Sequence, residues 1–230
     1  MGPLSILDDH SRYAIALQGT WSTQAAPIKQ RLIAAFESCG VPEAMLMDHG
    51  VPWWNMKAVA GWMWLSRWIM RQGIRLHFSG FRHPQTQGKV ERFHGVLGAA
   101  MQRRGMPPFA ERQLWLDEFR HEYNHVRPHE ALGMKTPAAV WSKSAWRYVA
   151  QPPAWEYEPG TEVYRLSAEG RLALQGQVWK IARALAGEWV QIVRVEQRVL
   201  VYYCRSLVRE LDLINRRSTM VDRRLSCPNV

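Results

Sequence analysis

Residues 4–17 read LSILDDHSRYAIAL, and this stretch sets the fold of the first part of the chain. The apolar runs Leu4 to Leu7 and Tyr13 to Leu17 have the length of short buried strands. The polar cluster between them, residues 8–12, contains the Asp and Ser residues that favour turns. The stretch therefore predicts a β-hairpin.

Outward from this hairpin, helical and strand-like patterns alternate. Apolar residues recur at helical spacing from Pro27 to Ser38, with Gly40 as a stop, and Ala44 to Met47 is a strand-like run that ends at Asp48. The patterns then predict a helix over 57–72, a strand over 74–79, a loop over 80–88, and helices over 90–103 and 113–125. Such alternation is typical of an α/β architecture.

The pattern changes near residue 150. Gln151-Pro152-Pro153 has the composition of a linker. Six short β-type runs follow: Glu162 to Leu166, Arg171 to Leu174, Val178 to Ile181, Trp189 to Val195, Val199 to Cys204 and Leu207 to Leu211. Many short strands in so few residues favour a small barrel over another α/β unit. We therefore predict a core domain over 1–150, a small all-β barrel-like domain over 151–214, and a disordered basic tail over 215–230.

The charge points to a polyanionic partner. Lys and Arg number 30 against 20 Asp and Glu, a net charge of +10, and the excess lies on both sides of residue 150. A basic globular chain is typical of nucleic-acid-binding proteins, although a basic surface can also serve solubility alone.

Other features exclude several classes. Cys39, Cys204 and Cys227 lie far apart and form no CxxC pair, which argues against a disulfide scaffold or a zinc finger and fits a reducing cytoplasm. The longest apolar stretch, residues 59–70, is interrupted by polar residues, so no membrane span is predicted. No charged segment followed by an apolar one opens the chain, which predicts a protein that is not secreted.

Two acids occupy positions that suit metal chemistry. Asp48 follows a predicted strand, and Glu91 opens a predicted helix with Lys89 and Arg92 beside it. Two carboxylates can converge on a hard cation, which prefers oxygen ligands and can activate a water or a 3′-hydroxyl at a phosphodiester. The alternative for each acid is an ordinary solvated surface charge.

Four stretches resemble the insertion-sequence transposases of the retroviral-integrase (DDE) superfamily. They are residues 7–12 (LDDHSR), the Asp48-x-Gly50 strand end, residues 83–94 (HPQTQGKVERFH), and residues 123–133 (YNHVRPHEALG) followed by Thr136-Pro137-Ala138. The resemblance implies a ribonuclease-H-like integrase core, with a triad of two aspartates and a glutamate that binds Mg²⁺ or Mn²⁺. It makes Asp48 the second acid and Glu91 the third, and it implies a small DNA-binding β-domain after the core.

The sequence departs from the family in two places. In the family the first catalytic aspartate lies on a strand upstream of the segment that Leu4 to Arg12 resembles, so we expect the first strand and its aspartate to be missing here. Asp8 and Asp9 are alternative metal ligands, but their place in the strand turn favours an ion pair with Arg12. His49 stands where the family usually has asparagine.

Basic and polar residues within these motifs are candidates for contacts to DNA. They are Lys89, Arg92, Gln85, His83 and Arg127. His121, His125 and His129 recur every four residues, a spacing that leaves either a zinc site or phosphate and loop contacts open. The Trp-rich segment 62–69 is apolar on more than one face, which fits a buried core or a dimer contact.

The resemblance implies DNA integration and transposition, with metal-dependent cleavage and transfer of transposon ends in the full-length relative. Its partners would be transposon-end and target DNA and further copies of itself, on the nucleoid in a bacterial cytoplasm. The alternative is a non-catalytic DNA-binding remnant that lacks the first aspartate. A small-molecule enzyme finds no support, because no nucleotide-cradling glycine pattern is present.

Overall fold

The structure of the protein is a computed structural model, which describes residues 3–19, 24–55, 61–78, 88–105 and 107–219. Its contacts define two compact units, one of residues 1–40 and 82–147 and the other of residues 41–81 and 148–230. The break after residue 147 lies near the predicted boundary at 150, whereas residues 41–81 group with the C-terminal segment. The predicted domain boundaries stay predictions.

The described residues mix helices and strands, as the α/β pattern predicts. The helices are α1 (Ala25–Cys39), α2 (Trp64–Arg71), α3 (Gly88–Arg104), α4 (Arg112–His121) and α5 (Pro137–Val140). The strands are β1 (Leu4–Leu7), β2 (Ala14–Gln18), β3 (Ala44–Met47), β4 (Arg75–Phe78), β5 (Glu162–Arg165), β6 (Arg171–Leu174), β7 (Gln177–Lys180), β8 (Trp189–Val195), β9 (Arg198–Tyr203), β10 (Ser206–Asp212) and β11 (Arg217–Thr219).

In the first unit, β1 and β2 form the predicted antiparallel hairpin, with Leu4 opposite Gln18. The carboxylate of Asp8 closes the turn by accepting hydrogen bonds from the amide and the hydroxyl of Ser11, at 2.8 and 2.6 Å. This is the Asx-type turn that the sequence favours.

The hairpin packs on α3 and α4. Ala14 and Leu17 of β2 share one buried cluster with side chains of both helices, which are Phe93, Leu97, Ala100, Leu116 and Phe119, together with Tyr123 just beyond α4. Burying this apolar stripe of α3 fixes which face of the helix points outward.

After α4, the chain widens into a π-helical turn over Glu122–Val126 instead of continuing as the α-helix predicted to reach His125. The buried Asn124 explains the position of this turn, since its side chain accepts a hydrogen bond from the Ala14 amide at 2.8 Å and donates one to the Ala14 carbonyl at 3.0 Å. Arg127 then adopts extended backbone, as expected of a residue that precedes proline.

In the second unit, β3 and β4 pair in parallel, with Ala44 opposite Arg75 and Met47 opposite Phe78. Helix α2 begins at Trp64, later than the predicted helix over 57–72, of which residues 56–60 lie outside the described residues. Gly61 has a φ of 73° and Trp62 forms a bridge with Trp54, so the chain is still in a turn at these positions.

The C-terminal part of the second unit is all-β, as predicted. Its antiparallel sheet has the order β11-β10-β9-β8-β5, and β6 and β7 form a separate hairpin. Within the described residues these pairings do not close, so the predicted barrel is not confirmed. Arg217–Thr219, within the predicted disordered tail, form β11 instead, because Asp212 accepts the amides of Ile214 and Asn215 and turns the chain back.

Among the described residues, no helix combines the length and the apolar character that crossing a membrane requires.

Candidate functional site

Asp48 directly follows β3 and is exposed to solvent. Its Oδ1 accepts a hydrogen bond from the Gly50 amide at 3.0 Å, which orients the carboxylate at the strand end. A Cβ at position 50 would lie 3.0 Å from that same oxygen, so glycine lets the turn approach the carboxylate closely. Asp48 forms no ion pair with the described residues.

His49 points into an aromatic cluster. Its ring centroid lies 5.4 Å from that of Trp54 and 5.3 Å from that of Phe78. Burial lowers the pKa of His49, and the negative charge of Asp48 raises it in part. The side chain therefore acts as packing beside Asp48.

Glu91 lies in the first turn of α3 and is exposed, without an ion pair among the described residues. A carboxylate is favourable at a helix N-terminus, where the backbone amides and the helix dipole are positive. Phe93 and Leu97 anchor α3 in the core of the first unit, so they fix the direction of Glu91.

Lys89, which we predicted to contact phosphate, is already paired with a carboxylate. Its ammonium group lies 2.6 Å from the carboxylate of Asp9 and 3.1 Å from the Asp9 carbonyl oxygen. Because both side chains are substantially exposed, such a pair contributes little to stability, and a stronger anion can displace Asp9.

The predicted pairing of an aspartate with Arg12 is wrong for the described residues. Asp8 binds Ser11, Asp9 binds Lys89, and the Arg12 guanidinium donates to the His10 carbonyl at 3.3 Å. The turn is tight enough for the Asp8 carboxylate to bond the amide and the hydroxyl of Ser11 within the same loop. Arg12 therefore has no carboxylate partner among the described residues.

The histidines at four-residue spacing make different contacts. The rings of His121 and His125 stack, with centroids 4.8 Å apart, whereas the ring of His129 meets Tyr123 edge-on at 4.8 Å. Burial lowers the pKa of His129, and a hydrogen bond with the Tyr123 backbone raises it in part. The positive charges of Arg127 and Arg12 lower this pKa further.

The metal site itself remains a prediction. The donor types suit a hard divalent cation, but within the described residues no group of three His, Cys, Asp or Glu side chains could hold a metal ion. Asp48 and Glu91 belong to different units of the chain. The predicted DNA contacts His83 and Gln85 lie outside the described residues.

A basic face on the β6–β7 hairpin was not singled out from the sequence. Arg171 and Lys180 stand directly opposite each other in the register and are both exposed. Like charges at such a position destabilise a sheet unless an anion lies between them. Arg171 and Lys180 lie at equal distances from the Gln175-Gly176 turn, and this symmetry is the sequence signal that could have revealed the pair.

Next to this hairpin lies an open cleft of about 590 Å³. Arg165 and Arg171 line it, and neither forms an ion pair within the described residues. Trp189, opposite Arg165 in the register, is 53% exposed. Glu169, also in the lining, accepts a hydrogen bond from the Ser167 hydroxyl at 2.8 Å.

The family described as "Integrase core domain" matches residues 72–137, a range that contains Glu91 and Arg127. Residues 72–137 are therefore similar to an integrase core.

More narrowly, the chain is 24% identical over 152 residues to the uncharacterized 31.7 kDa protein of insertion element IS407 from Burkholderia multivorans. That alignment covers 66% of this chain and 52% of the relative, so the chain spans about half the relative's length. The resemblance to insertion-sequence proteins with an integrase core, which the motifs indicate, is therefore confirmed.

A solved structure also resembles the chain: the simian T-cell lymphotropic virus intasome in complex with the PP2A regulatory subunit B56 gamma, studied by cryo-EM. The TM-score is 0.47 at 15% sequence identity, over 85% of this chain and 64% of the matched chain.

Proposed function

We propose that this protein takes part in DNA integration and transposition, as a metal-dependent enzyme that cleaves and transfers transposon-end DNA. The observation that carries the proposal is the integrase-core match around Glu91, together with two exposed carboxylates, at a strand end and a helix start, that form no ion pair with the described residues.

On this proposal, Asp48 and Glu91 hold Mg²⁺ or Mn²⁺ on a ribonuclease-H-like core. When bound, the metal would activate a water or a 3′-hydroxyl and neutralise charge at the phosphodiester. The chain's own contribution is to hold the carboxylates rigidly: Asp48 through the Gly50 amide, and Glu91 through the buried face of α3.

The partners we propose are transposon-end and target DNA, in a bacterial cytoplasm, and further copies of the chain. Lys89, Arg92 and Arg127 supply phosphate contacts in the first unit. The C-terminal β-region supplies a second basic surface through Arg165, Arg171 and Lys180, with the exposed ring of Trp189 beside it. Phosphate contacts of this kind dominate affinity and depend on salt.

A second candidate function is DNA binding without chemistry. It is favoured by the lack of a three-residue metal cluster within the described residues and by the capture of Asp9 by Lys89. Two carboxylates alone fill only part of the coordination shell that two-metal chemistry needs.

One experiment separates the two functions. The chain, and the same reading frame extended upstream, are incubated with labelled terminal-repeat DNA and Mg²⁺ or Mn²⁺, and cleaved and joined products are resolved. Metal-dependent products from the extended protein support the enzyme. DNA binding without products from either protein supports the binding function, and absence of duplex binding contradicts both.

A further inference from the structure

Three segments of the first unit converge on one tyrosine. Asn124 ties its segment to Ala14 through two hydrogen bonds, at 2.8 and 3.0 Å. The ring of Phe93 in α3 meets the ring of Tyr123 edge-on, with centroids 4.8 Å apart. The turn between β1 and β2 and the first turns of α3 are therefore held against the segment that contains Tyr123.

Each of these segments carries an arginine beside its anchoring residue. Arg12 precedes Tyr13, whose ring stacks on Trp141 at 4.5 Å and meets His125 edge-on at 6.1 Å. Arg92 precedes Phe93, and Arg127 follows the π-helical turn that contains Tyr123. Within the described residues, none of the three arginines forms an ion pair.

The positive charges of all three arginines act on the pKa of Tyr123. Burial raises the pKa of its hydroxyl, and the positive charges of Arg127, Arg12 and Arg92 lower it in part. Three cations around one buried phenol repel one another, and an anion between them would relieve that repulsion.

One buried polar atom at this place lacks a partner. The Nε2 atom of His129, whose ring contacts Tyr123, is buried and has no hydrogen-bond partner among the described residues. Buried polar groups in folded proteins are nearly always hydrogen-bonded, so this atom indicates that a ligand completes the site.

We propose that Arg12, Arg92, Arg127 and the Tyr123 hydroxyl form a single site for one phosphate group of a DNA backbone. Guanidinium groups and a phenol are the donors that a phosphodiester oxygen accepts best. Arg92 directly follows Glu91, so the site would hold a strand next to the proposed metal ligand. The inference rests on the proposed function for the identity of the partner, DNA, but not for any chemistry.

The test is binding of a fluorescein-labelled duplex of mixed sequence to the full chain, followed by anisotropy in EDTA over a range of salt concentrations. Because the three arginines share one phosphate, replacing Arg12, Arg92 and Arg127 by Gln together should lower the slope of log affinity against log salt by about 0.9. Because EDTA removes metal, the result does not depend on catalysis.

Tyr123→Phe separates the hydroxyl from the charges. It keeps the ring that packs on Phe93 and removes no charge, so affinity should fall about three- to tenfold while the salt slope stays unchanged. The matched control is Arg31→Gln, which removes one positive charge from α1, where the guanidinium donates to Gln18. It should leave the slope nearly unchanged, unlike the triple variant.

Several outcomes overturn the proposal. It is wrong if the triple variant binds DNA like Arg31→Gln, or if the variants lose affinity for inorganic phosphate but not for DNA. If Arg12→Gln fails to fold, the exposed Arg92 and Arg127 carry the test, with Arg127→Lys expected to keep the slope. A wild-type chain that binds no duplex contradicts the proposed function as well, whereas normal binding by the triple variant contradicts this inference alone.

Discussion

The α/β elements and the C-terminal sheet differ in how completely their strands are paired. Within the described residues, β1 to β4 form two separate two-stranded sheets, whereas β8, β9 and β10 each have neighbours on both sides. A two-stranded sheet is marginal in water without further packing. The candidate acids therefore lie among elements whose stability depends on side-chain packing and on hydrogen bonds between segments. The basic β6–β7 hairpin, in contrast, lies beside a five-stranded sheet, whose inner strands are hydrogen-bonded on both sides.

This difference predicts separate roles for the two regions, with chemistry in the first and salt-dependent affinity in both. Each of the following changes tests one side of the comparison.

The largest effect should come from the acids. In a protein that shows strand transfer, Asp48→Asn and Glu91→Gln should each lower the rate more than about a hundredfold, since even partners outside the first coordination shell cost up to that much. Duplex affinity should change little, because phosphate contacts dominate it. Gel assays of joined products and anisotropy on the same preparations check this. Glu111→Gln, an exposed acid elsewhere in the first unit, is the control, and a comparable loss there would contradict the assignment.

The next effect concerns the hairpin beside the C-terminal sheet. A Cβ at Gly170 would clash with the Ala182 carbonyl oxygen, and Gly170 has a φ of 70°. Gly170→Ala should therefore lower the free energy of unfolding by about 3 kcal/mol or more, from backbone strain plus the clash. Gly176→Ala has the same φ and open space around it, so it should cost only about 1 kcal/mol. Equal losses in urea unfolding would show that the hairpin is not packed as described.

A smaller loss is expected at the clamp in the first unit. Asn124→Ala leaves the buried amide and carbonyl of Ala14 without partners, which should cost about 2 kcal/mol. Asn215→Ala, an exposed turn residue after β10, is the matched substitution in the other region and should cost much less. A larger effect at Asn215 would reverse the comparison between the regions.

The smallest effect is on DNA affinity through the hairpin face. Replacing Arg171 and Lys180 by Gln should reduce the salt slope of duplex binding by about 1.8, two contacts at about 0.9 each. It should also leave stability unchanged or raise it, since two like charges that face each other are removed. An unchanged slope would remove this face from the DNA-binding surface.

Much of the local structure could be predicted from the sequence. β3 and β6 match their predicted bounds, and β8 does as well, because apolar patterns and flanking turn residues report strands directly. The late start of α2 could not be predicted, since it depends on the pairing of Trp54 with Trp62. The π-helical turn depends on Asn124 binding Ala14, a contact between residues far apart in the chain.

The candidate site, too, could be predicted only in part from the sequence. The motifs point to Asp48, Glu91, Arg92 and Arg127, but they do not show that Lys89 is paired with Asp9. They also predict an ion pair between Arg12 and an aspartate. In the structure, Asp8 instead bonds Ser11 and closes the turn. Which charges remain unpaired is decided by tertiary contacts, and a local pattern does not contain that information.

The central claim is the proposal that Asp48 and Glu91 are both metal ligands. Mn²⁺ binding followed by electron paramagnetic resonance tests it most directly, with wild type, Asp48→Asn and Glu91→Gln compared at equal concentrations. The account predicts weak binding by wild type and a similar, nearly complete loss in each single variant. Binding that persists in both variants, or that depends on only one of the two acids, would contradict it.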